Sequence, residues 1–157
     1  MQLYIKQRVF SWTDSYDVYD ASGNPRYEVR AEFFTLGHRI HVYEKATGRE
    51  VGSIHERLLT MLPQFEIVMD GNPRGLIRKE FTLFRPRYQV DFRGWNVEGD
   101  LMGWDYRVMR GNVTVMTISK QLFHFSDTYV LDFSNPANEV PGLLLVIAID
   151  AANCGKD

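Results

Sequence analysis

Five glycines, at positions 23, 48, 71, 94 and 111, each stand between two short segments in which large apolar and polar residues alternate. They lie 25, 23, 23 and 17 residues apart. Alternation with a period of two gives a strand one inward and one outward face. A tight hairpin turn needs a positive φ, which glycine adopts without the steric cost a Cβ brings. Each glycine therefore reads as the tip of a strand–turn–strand unit. The units turn residues 16–20 into 26–30, 40–44 into 49–54, 65–69 into 74–79, 88–92 into 95–99 and 104–109 into 113–118.

No helical period separates the units, so the spacing argues for an up-and-down antiparallel sheet. Adding a strand near residues 4–10 and another near 128–133 brings the count to about twelve, by the same alternation. An open twisted sheet of that width is unusual, and closing it into a barrel removes the exposed edges.

The chain ends differently. Leu143-Leu144-Leu145-Val146-Ile147-Ala148-Ile149 is apolar without interruption, followed by Asp150-Ala151-Ala152. The β-branched Val146, Ile147 and Ile149 leave one more buried strand as the alternative, but Ala148, Ala151 and Ala152 favour a helix over residues 139–154, with Asn138 expected as N-cap, Pro141 in the first turn and Gly155 as the stop. Such a helix is apolar on every side and must be surrounded. The surround on offer is the inside of the barrel. The expected fold is thus all-β with one helix: an antiparallel closed barrel of about twelve strands around a central apolar C-terminal helix, one domain over residues 1–157.

Composition narrows the function classes. At 157 residues, 45% hydrophobic and 24% charged, the chain has the balance of a globular protein. A net charge of −2 gives no global attraction to nucleic acid. The single cysteine, Cys154, forms no intrachain disulfide and fits a reducing compartment. The first residues lack the apolar core of a secretory signal, and seven apolar residues in a row fall far short of the roughly 20 a membrane span needs. A soluble cytoplasmic protein is expected, with no transmembrane segment.

No nucleophile elbow, Walker loop or dinucleotide fingerprint appears, so no catalytic residue is assigned and no cofactor is expected. His38 and His41 stand three apart, which on a strand points them to opposite faces; no metal site is assigned. The strongest candidate site is basic. Between residues 74 and 93 lie Arg74, Arg78, Lys79, Arg85, Arg87 and Arg93 against Glu80 and Asp91. Arg74, Arg78, Lys79, Arg85 and Arg87 are the residues expected to hold an anionic headgroup through charge-assisted hydrogen bonds. Arg78 and Lys79 are consecutive and must point to opposite faces of their strand. Asp150, near the end of the helix, is expected at the barrel rim, and Cys154 is expected to be packing.

Val18-Tyr19-Asp20 with Gly23, Ile77-Arg78-Lys79, Tyr129-Val130-Leu131 and Ala148-Ile149-Asp150, in that order, resemble the LURP-one-related family across essentially the whole chain. That family has the tubby C-terminal-like fold and is distantly similar to the phospholipid scramblases. The resemblance implies a binding or scaffold domain rather than an enzyme. Anionic phospholipid, phosphoinositide or a protein is the implied partner, because tubby binds phosphoinositide headgroups and scramblases act on membranes. No local motif here matches the sites of those proteins. The alternative is a β-barrel carrier of a small apolar ligand, like the lipocalin and fatty-acid-binding classes, which must keep its lumen empty.

Overall fold

The computed structural model describes residues 1–6, 15–32, 36–80, 83, 87–123 and 126–154. In chain order the strands are β1 (Gln2–Ile5), β2 (Ser15–Asp20), β3 (Pro25–Glu32), β4 (Arg39–Glu44), β5 (Glu50–Glu56) and β6 (Gln64–Met69). They continue as β7 (Asn72–Glu80), β8 (Arg87–Phe92), β9 (Asn96–Asp100), β10 (Asp105–Arg110), β11 (Val113–Phe123) and β12 (Ser126–Phe133). A 3₁₀ turn, Pro136–Asn138, then leads into the helix α1 (Glu139–Cys154).

All twelve strands form one antiparallel sheet, in the order β8-β7-β6-β5-β4-β3-β2-β1-β12-β11-β10-β9. The sheet curls into a nearly closed barrel around α1. The alternation read from sequence is the alternation of faces: Tyr27 and Val29, Ile40 and Val42, Phe65 and Ile67 all point inward and are buried. Leu143 through Ile149 are at most 1% exposed, so α1 occupies the space a carrier would need as a lumen. A glycine in the wall makes room for a helix side chain. A Cβ at Gly52 on β5 would lie 2.4 Å from a methyl of Leu144, nearer than any side chain tolerates.

The helix is anchored at both ends. Asn135, not Asn138, caps the incoming 3₁₀ turn, its side-chain oxygen accepting from the amide of Ala137 at 2.9 Å. The correction is a matter of geometry: the chain starts to coil three residues before α1, so the cap moves forward with it. Glu139, buried at the first position of α1, is gripped by Arg26 of β3 at 2.6 and 3.1 Å. A carboxylate there also complements the helix dipole. Burial, followed by the Glu139 charge, pushes the Tyr27 phenol up to about 12.

The barrel has two unlike ends. The short glycine turns close one of them, the turn end, where α1 begins. The connections β3–β4, β5–β6, β7–β8 and β9–β10 cross the opposite, loop end, where α1 finishes.

The fourth predicted hairpin departs from expectation. Residues 92–95 make the tight turn, with φ of 57° at Arg93 and 69° at Gly94, and the amide of Trp95 donates to the carbonyl of Phe92 at 3.0 Å. Beyond that bond β8 and β9 part. Each is an edge of the sheet, β8 pairing with β7 and β9 with β10. The barrel therefore has a seam.

Candidate functional site: the loop end and the open seam

The basic stretch is dispersed by the fold. Arg78 and Arg87 lie on the outer face of β7 and β8 near the loop end, both exposed. Register sets Arg78 opposite Gln89 and Arg87 opposite Glu80, which makes the two arginines diagonal neighbours. Lys79 points the other way, as strand alternation requires, and is only 9% exposed on the inner face opposite Tyr88. Arg74 sits four residues from Arg78 toward the turn end, about 13 Å away along the strand. Arg85 lies outside the described residues. Two of the five expected residues, Arg78 and Arg87, thus share one surface, with Glu80 and Asp91 interleaved among them.

The loop end carries a feature that the basic stretch did not announce. Among the described residues eight large apolar side chains are exposed, and six of them sit here: Leu36, Leu58, Leu59, Met61, Leu83 and Met102. They come from four separate connections. Leu36 and Leu83 are 85% and 87% exposed, and Leu59 and Met61 are bare to solvent. Leu59 also holds a left-handed backbone, φ 60°, which costs a side-chain-bearing residue roughly 1–2 kcal/mol. The turn end carries only the other two, Met1 and Val113, and its exposed turns at Ser22-Gly23-Asn24, Lys45-Ala46-Thr47 and Asp70-Gly71-Asn72 are free of large apolar side chains. The signal was present in Leu58-Leu59-Thr60-Met61-Leu62-Pro63, an apolar run between two strands without strand alternation.

Exposed cations stand beside the tips. Arg39 opens β4, Arg57 follows β5, and Arg87 opens β8. Arg57 is paired with Glu66 at 3.3 Å. Carboxylates at the same end, among them Glu80 and Asp100, keep the local balance near neutral.

Along the wall, the seam between β8 and β9 forms a cleft of about 1060 Å³, with Tyr88, Val90, Trp95 and Val97 on its inner side. Trp95 is buried, edge-on to Phe92 at 5.5 Å, and Arg93 lies over its face at 5.4 Å. The helix braces the opening. The Tyr88 hydroxyl donates to the Asn153 side-chain oxygen, and the Asn153 amide donates to the Leu101 carbonyl at 3.3 Å. One residue of α1 thereby ties β8 to the connection after β9, where a ladder would otherwise run.

Two histidines meet elsewhere on the barrel, His41 and His55, with ring centroids 6.3 Å apart. On the outer face His41 of β4 holds Glu50 at Nδ1, 2.5 Å, and Glu32 at Nε2, 2.8 Å. The two carboxylates approach opposite ring nitrogens and cannot converge on one ion. His55 pairs with Arg39 across β4 and β5, and its Nε2 lies 2.9 Å from the Ser53 hydroxyl. Among the described residues no set of His, Cys, Asp and Glu is arranged to hold a metal. Asp150 is buried near the end of α1, and burial, then the Asp150 charge, pushes the Tyr106 phenol up. The side chain of Cys154 lies outside the described set.

A twelve-stranded sheet wrapped around one C-terminal helix defines a class of barrel that is also seen in the plant kingdom. A solved structure of a protein from Arabidopsis thaliana matches it with a TM-score of 0.58, covering 95% of this chain and 91% of that one at 12% identity. The LURP-one-related family model matches residues 1–150, and the chain belongs to that family. It is similar to the uncharacterized protein YxjI of Bacillus subtilis, 25% identical over 150 residues that span 96% of this chain and 92% of the relative.

Proposed function

We propose that this chain is a non-enzymatic binding domain that docks its loop end on an anionic lipid surface. The observation that carries the reading is the gathering of six exposed Leu and Met side chains at one end of the barrel. No helix among the described residues is long and apolar enough to cross a membrane, so the contact proposed is with the surface. Apolar tips on four separate connections suit a bilayer, whose fluid interior accepts any spacing. A protein partner would need a matching pocket for each tip. Each tip gains up to about 1.5–3 kcal/mol on full burial, and each nearby Lys or Arg about 1 kcal/mol at an anionic surface. Arg78 and Arg87, with Arg39 and Arg57, supply the headgroup contacts in this reading. Because carboxylates offset them, insertion dominates and charge adds a preference.

Co-sedimentation with vesicles tests this. The wild type is expected to pellet with phosphatidylserine-containing vesicles and less with neutral ones, and to bind more weakly as salt shortens the Debye length from about 10 Å at 0.1 M. The double substitution Leu59→Asp with Met61→Asp should weaken binding about tenfold or more, since both side chains are solvent-exposed and their loss spares the core. Arg78→Glu with Arg87→Glu should weaken it less and remove most of the salt dependence. Absence of pelleting by the wild type at low salt would overturn the proposal.

A further inference from the structure

Among the described residues, the seam has backbone groups on both walls that pair with no strand of the sheet. In a two-residue hairpin closed by the Trp95–Phe92 bond, the next hydrogen-bonded pair along the strands is Val90 with Val97. Alternation then turns the amide and carbonyl of Gly99 to the same side. Asn96 and Glu98 face away and serve the ladder to β10, opposite Met109 and Arg107. Val90, Val97 and Gly99 all line the cleft, and no ladder joins β8 to β9 there among the described residues. Such groups are a template for a further strand.

We infer that the seam is a strand-addition site that takes one extended segment of a partner polypeptide. Its two sides specify that segment. The inner side offers Tyr88, Val90, Trp95 and Val97, whereas the outer side offers Arg87, Gln89, Asn96 and Asp100. A guest strand must therefore alternate apolar residues toward the helix with polar ones toward solvent. The turn at 92–95 shuts one end, so the guest enters from the loop end. β8 has six residues and β9 five, and the turn keeps the guest from the residues next to it, which limits the paired length to fewer than five. Because β8 and β9 run in opposite directions, a single guest lies antiparallel to one edge and parallel to the other. Asn153 braces the gap by bonding to both sides.

This inference does not rest on the lipid reading, and its test contains no lipid. A phage-displayed library of random decapeptides is selected on the purified full chain in solution. Enriched peptides are expected to show apolar residues at every second position and to protect the Val90, Val97 and Gly99 amides from hydrogen exchange. Val97→Pro removes one seam-facing N–H and leaves the β10 ladder intact, a change that edge strands accept. It should weaken the selected peptides about tenfold, the effect of stranding one carbonyl, while Val97→Ala leaves binding within about twofold. Should Val97→Pro fail to fold, the same question is put to the wild type with peptides N-methylated at successive central positions. A guest bonded on both edges loses binding at each such position. Failure to enrich any peptide would overturn the inference. So would peptides that bind Val97→Pro as tightly as wild type, or that tolerate successive N-methylation.

Discussion

His41 shows how far one residue can be read from local geometry. A carboxylate oxygen accepts hydrogen bonds and cannot donate, so an imidazole with a carboxylate on each nitrogen must donate from both and carry a charge. Burial opposes that charge and is the largest single influence. The hydrogen bonds to Glu32 and Glu50, then their charges, outweigh it together and hold His41 above the ordinary histidine value. His55 moves the opposite way through burial, the Arg39 charge and the His41 charge. A folded pKa raised above the unfolded one gives stability that is complete below about pH 6.5 and fades as pH rises through the folded value. Thermal melts of wild type and His41→Gln should therefore differ most near pH 5.5, with the gap narrowing toward pH 9. A gap that stayed constant would mean that the bridge between β3, β4 and β5 is not ionic.

At the scale of the element, α1 is where the sequence was most transparent. Its run of seven apolar residues left no polar face, and a helix without one has to be enclosed. Ile147, fully buried at the middle of the helix, is the sharpest probe. Ile147→Asp sets a charge in the barrel interior and should cost about 4 kcal/mol or more, against a typical domain total of about 5–15. Ile147→Val should cost only about 0.5–1.5 kcal/mol. Melting curves of the two variants check this, and a near-native melt for Ile147→Asp would contradict enclosure of the helix. The strands were nearly as legible, because a period of two survives any tertiary arrangement. The cap was less so, since Asn135 and Asn138 are both suitable residues and only the onset of coiling chooses between them. Leu59 and Met61 were not legible as a surface. Whether apolar loop residues tuck inward or stand in solvent depends on neighbours distant in sequence.

Across the whole molecule, the same limit separates what alternation dictates from what closure dictates. Consecutive Arg78 and Lys79 were bound to face opposite ways, and they do; that Arg74 would end up toward the other end from Arg87 required the register of β7 with β8. The seam was equally hidden. The turn at Arg93-Gly94 reads like the other hairpin tips, and only the enclosed helix, reaching out through Asn153, shows why the strands after it do not zip together. The resulting molecule concentrates its exposed apolar side chains at the tips of its loop end, six against two at the turn end, and is open along one wall. The proposed docking implies one orientation on a bilayer, loop end inward. An environment-sensitive fluorophore tests it most directly, placed by Leu59→Cys at the loop end or by Ala46→Cys at the turn end, each with Cys154→Ala. On addition of phosphatidylserine vesicles the Leu59→Cys label should brighten and shift to the blue as it leaves water, while the Ala46→Cys label stays unchanged. Equal responses from the two positions, or none from either, would contradict docking by the loop end.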